Sequence, residues 1–137
     1  MSSLLSLSSG RMAANAATVL FAVVIILQLL LAAGILPVTM AWGGRQHTLT
    51  LPLRIASLAS AVVLALLAYV IRRRVGLVGG FPIPTATKVV SWVAAAFMAF
   101  NTVTNLASTS KAEKALFTPI TFLLTLSCLL ASLSRPE

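Results

Sequence analysis

Among the uncharged polar side chains that interrupt the long apolar runs of this 137-residue chain, seven stand out by position and spacing. Gln28 falls near the middle of the first run. Asn101, Thr104 and Asn105, continued by Ser108, recur at intervals of three and four, as do Thr118, Thr121 and Thr125 further on. That interval returns a helix to the same face. Hydrogen-bonding groups in an apolar medium have two uses. They bond between helices and fix register, at about 1 kcal/mol per bond, or they line a cavity or pore for a small molecule or ion. Interhelical bonding is the simpler reading of the set. Gln28 and Asn101 are the strongest cavity candidates, because Asn105 sits where its helix should end.

Other chemistry is thinly supplied. The single histidine, His47, has no carboxylate close by in sequence, so nothing around it resembles the base, nucleophile or ligand cluster of a hydrolase or metalloenzyme. The single cysteine, Cys128, lies inside an apolar run; intramolecular disulfides, cysteine metal clusters and paired-thiol redox reactions are excluded. The two carboxylates, Glu113 and Glu137, are expected outside the spans, which argues against antiport coupled through an intramembrane carboxylate. No catalytic residue, metal site or cofactor is expected.

The elements that must position the polar groups are four apolar segments, with spans expected at about 14–36, 55–74, 86–108 and 111–133. A helix of roughly 20 residues, rising about 1.5 Å per residue, matches a hydrocarbon core about 30 Å thick. Composition agrees: 59% of residues are hydrophobic and 9% charged, where soluble domains carry about 25% charge, and the mean hydropathy is +1.04. The expected fold is an all-α integral membrane protein, a four-transmembrane-helix bundle forming a single domain over 1–137. The first segment is longer than a signal-peptide core and is read as a retained span. Residues 2–9, alternating Ser with Leu, are expected to form a loose interfacial segment.

The loops carry their own signals. Residues 38–42 and 47–51 are β-compatible and flank Gly43, Gly44, Arg45 and Gln46, which predicts a short β-hairpin in the first loop. Ser110 and Glu113 match a capping box, which predicts a tight antiparallel hairpin of the last two helices. The segments 39–45 and 101–108 are distinctive, although no activity attaches to them.

Ten Lys or Arg against two Glu give a formal charge of +8. The cations sit at span boundaries rather than along one face, a pattern of topology determinants and headgroup contacts, and not of nucleic-acid binding. Arg72, Arg73, Arg74 and Lys88 in the middle loop are candidates for contact with an anionic lipid headgroup or a phosphate. Their weight places both termini in the cytoplasm, with the plasma membrane as the expected location.

Helices associate in lipid where small residues let backbones approach. Ser57, Ala61 and Ala65 in the second span, with Ser91, Ala95 and Ala99 in the third, predict that these two helices form the centre of packing, while Val23, Ile26, Leu30 and Leu31 of the first face lipid or a partner. Two function classes fit. The first is a non-enzymatic scaffold or accessory subunit, packing against itself as a homo-oligomer or against a membrane-protein partner. The alternative is an oligomeric channel or facilitator, since one four-helix bundle leaves little room for an aqueous path.

Overall fold

A computed structural model describes residues 6–135. Four helices long and apolar enough to cross a membrane account for most of them: α1 (Leu7–Ala33), α2 (Leu51–Arg74), α3 (Thr85–Leu106) and α4 (Lys111–Leu133). Each boundary has a local cause. The Ser6 side chain accepts from the Ser9 amide at 3.1 Å and starts α1, well before the expected edge at 14; the part of the loose segment before Ser6 lies outside the described residues. Gly34, in a left-handed conformation, ends α1. Thr50 caps α2 with Pro52 in the first turn, where a missing N–H is harmless. Pro84 precedes α3, and Pro119 sits inside α4 without ending it.

The first loop is not a β-hairpin. Residues Val38–Met40 and Trp42–Gly44 form two short 3-10 turns, and no strand occurs among the described residues. The reason is backbone conformation. Trp42, Gly43 and Gly44 have φ of 58°, 77° and 75°, so the chain coils where two strands would have to run straight. The carbonyl of Gly43 then turns towards the α3–α4 loop and accepts both the amide and the hydroxyl of Thr109, at 2.9 and 2.8 Å.

Packing also departs from expectation. α1 lies against both α2 and α4, and α4 against α3, whereas α2 and α3 touch over a much smaller stretch. The centre is therefore the α1–α4 pair, and the seam between α2 and α3 is the loosest side of the bundle. Gly10, Ala13, Ala14 and Ala17 are all buried, and these small side chains let α1 approach its neighbours closely. In α2 and α3, Ser57, Ala61, Ser91 and Ala95 are buried, but Ala65 is exposed and Ala99 only half-buried. Val23 and Ile26 of α1 do project outward, while Leu31 is buried.

Core density is uneven along the bundle. The end that carries the termini is filled by Phe21, Ile71, Leu124 and Cys128, all at 0% exposure. At that end the three consecutive arginines diverge, because successive helical side chains point about 100° apart. Arg72 donates to Asn15 Oδ1 on α1 at 2.9 Å. Arg73 donates to the Gly80 carbonyl of its own loop at 2.6 Å, and Arg74 to the Ser132 carbonyl of α4 at 2.8 Å. The triplet ties three elements together and does not converge on one anion nest. Lys88 stands apart and exposed.

Candidate functional site

The opposite end of the bundle is hollow. A cavity of about 770 Å³ lies between all four helices, under the first loop. α1 contributes Gln28, α3 contributes Phe97, Asn101, Thr104 and Asn105, and α4 contributes Glu113, Phe117 and Thr121. The α4 set recurs every four residues, so it forms one stripe down the helix. From Glu113 to Thr121 the stripe descends about 12 Å at 1.5 Å per residue. Trp42, Gly43 and Arg45 of the first loop form the roof. The two segments that stood out in the sequence, 39–45 and 101–108, thus form the roof and one wall of a single space.

The cavity opens sideways. Val63 of α2 and Phe97 of α3 both line it, yet are 44% and 41% exposed on the outside of the bundle. They lie on the α2–α3 side, where the two helices touch least. Below the cavity the fully buried Phe21, Ile71, Leu124 and Cys128 fill the bundle.

Five of the seven polar residues singled out in the sequence, Gln28, Asn101, Thr104, Asn105 and Thr121, line this space. The other two do not. Thr118 has a buried hydroxyl without a partner, and Thr125 lies 3.4 Å from Thr102 across the α3–α4 interface. Bonding between helices and lining a cavity coexist at Asn105, whose Nδ2 donates to Thr121 Oγ1 at 3.3 Å. Thr121 Oγ1 in turn donates to the Phe117 carbonyl at 2.9 Å. The threonine hydrogen is committed there, so its oxygen accepts from Asn105, and the asparagine must turn its own oxygen away from Thr121. Asn101 Nδ2 donates to the Phe97 carbonyl at 2.8 Å. Gln28 Oε1 is buried with no partner.

Glu113, read from the sequence as the second member of a capping box, keeps only its backbone part in that role. It is 4% exposed, in the first turn of α4, and lines the cavity. Ser110 does cap α4, accepting from the Glu113 amide at 3.2 Å. The second half of a capping box would have the Glu113 carboxylate accept from the Ser110 amide. That amide is taken instead by Ser108 Oγ at 3.1 Å. The carboxylate is thereby released from the cap, and among the described residues it has no hydrogen-bond or ion-pair partner. Arg45, the one cation of the lining, is exposed in the first loop. No three His, Cys, Asp or Glu side chains come together among the described residues.

No protein family, curated protein or solved structure matches this chain.

Proposed function

We propose that the chain is a non-enzymatic membrane protein that binds an amphiphilic small molecule inside a single bundle and acts as a facilitator for it. The observation that carries this reading is the cavity of about 770 Å³ lined by all four helices of one chain. Small-molecule sites run to about 300–1,000 Å³, with mostly apolar walls and a few placed polar groups. Val24, Val63, Leu64, Phe97, Met98 and Phe117 supply the apolar wall here. A homo-oligomer or a partner protein is compatible with this site but is not needed to complete it. A pure scaffold would have no use for an internal space of this size, since voids weaken packing.

The test uses Trp42, which lines the cavity, in a Trp92→Phe background reconstituted in phosphatidylcholine nanodiscs. A nitroxide-labelled long-chain alcohol is expected to quench Trp42 emission saturably, near one probe per chain. Ser60→Phe, which fills the cavity from α2, should abolish the saturable component. Quenching that only rises in proportion to probe in the lipid, and equally in both proteins, overturns the reading.

The same proposal places the bundle in the plasma membrane with the termini cytoplasmic and the roof outside, on the weight of Arg11, Arg72, Arg73 and Arg74 near the terminal end. Exposed Lys88 and Arg54 are then the groups free for anionic headgroups. A thiol introduced by Gln46→Cys should react with an impermeant maleimide on intact cells, and one introduced by Gly79→Cys should not. The reverse pattern inverts the orientation.

A further inference from the structure

Glu113 is idle in the fold and buried in the site. Its carboxylate caps nothing, because Ser108 has taken the amide it would have accepted, at 3.1 Å, and it pairs with no described cation. A buried carboxylate without a partner is costly. Deeper in the wall, Asn105 and Asn101 each spend one amide hydrogen, on Thr121 and on the Phe97 carbonyl at 3.3 and 2.8 Å, and keep a second N–H and the oxygen. Gln28 Oε1 is buried and unpartnered. The donors Arg45 and Gln46 are exposed in the roof.

Below the roof, the Glu113 carboxylate is the one charged group of the lining. From this geometry we infer that the cavity takes an amphiphile with a cationic ammonium head, seated against the Glu113 carboxylate, with its tail running down the wall past Phe117. An ammonium brings several N–H donors and the charge opposite to the carboxylate, and charge-assisted bonds of this kind are the strong ones. Phe97 and Phe117 on the wall offer ring faces to a cation and contact to an apolar tail. A bare inorganic ion would use the carboxylate but would leave most of the apolar volume unfilled.

This inference rests on the cavity being a binding site, so its test separates the two. Three nitroxide-labelled probes of equal chain length, bearing an ammonium, an alcohol or a carboxylate head, are titrated against Trp42 emission in neutral phosphatidylcholine nanodiscs. The ammonium is expected to bind about tenfold or more tightly than the alcohol, and the carboxylate least. Glu113→Gln keeps the backbone cap and should bring the ammonium to within about twofold of the alcohol. Saturable alcohol binding without an ammonium preference overturns the inference and leaves the binding site standing, whereas no saturable binding by any probe overturns both. Ammonium affinity that appears only after Arg45→Gln shows that the carboxylate serves that arginine, and also overturns the inference.

Discussion

Gly10→Leu is expected to drive α1 away from the end of α4 and to remove about 3 kcal/mol or more of stability, the upper range for overpacking a buried contact. Gly10 is buried where the first turn of α1 meets the chain just past α4. Even a Cβ there would collide with Ser134 Cβ and approach its Oγ to 2.9 Å and Val75 Cγ1 to 3.3 Å. None of these neighbours is free to retreat. Ser134 Oγ donates to the Ala131 carbonyl at 2.9 Å, and the Ser134 carbonyl receives Arg74 Nη2 at 3.3 Å. Val75 is itself at 0% exposure, and its carbonyl accepts Arg11 Nε at 3.1 Å. The collision is therefore transmitted to α2 and α4 together. Unfolding of the purified protein by SDS titration in mixed micelles reads the loss. Ala16→Leu, on the exposed face of the same helix, should stay within about 0.5 kcal/mol of the parent. A Gly10→Leu protein as stable as Ala16→Leu would show that the close approach of α1 does not hold the bundle together.

That position also shows where sequence reasoning stopped short. The apolar segments were legible because length and hydropathy act locally, and all four recur as helices. Their neighbours were not. The small residues that fix packing, Gly10 to Ala17, sit among Ser9, Arg11 and Asn15, a mixture that reads as the approach to a span rather than its tightest contact. The runs of α2 and α3 carry the same small-residue signal, yet Ala65 faces outward; spacing identifies a face that can pack, and not which helix comes to it. The polar stripe was legible for the same local reason, and Gln28, Asn101, Asn105 and Thr121 meet in one cavity. Glu113 was hidden by a competing motif. The capping box accounts for a glutamate at that position, and only the fold shows Ser108 supplying the acceptor instead. The first loop failed differently, since β-compatible residue types lost to three successive left-handed backbone positions and to Thr109, 66 residues away in sequence.

The junction of those two loops gives the second large effect. Gly44→Ala is expected to lift the roof from the cavity, at a cost of about 3 kcal/mol, combining the left-handed backbone placement with two hydrogen bonds. Gly44 has φ of +75°, and an added Cβ would lie 2.7 Å from Thr109 Oγ1 and 2.8 Å from Ser110 Cβ, against the Ser110 amide. Relieving that contact means moving Thr109, whose amide and hydroxyl both hold the Gly43 carbonyl, at 2.9 and 2.8 Å. It also moves Ser110, the cap of α4, and with it the turn that carries Glu113. Gly43→Ala separates backbone from contact. Its φ is +77°, almost the same, but nothing lies within 4 Å of its Cβ position, so only the backbone cost of about 1–2 kcal/mol applies. The difference between the two variants in SDS titration isolates the stitch between the loops. In the Trp42 assay, Gly44→Ala should lose saturable probe binding while the helix content measured by circular dichroism is kept, because the filled terminal half of the bundle is untouched. Equal losses from Gly43→Ala and Gly44→Ala would mean that the roof is held by backbone conformation alone, and that the contact with Thr109 and Ser110 does not shape the site.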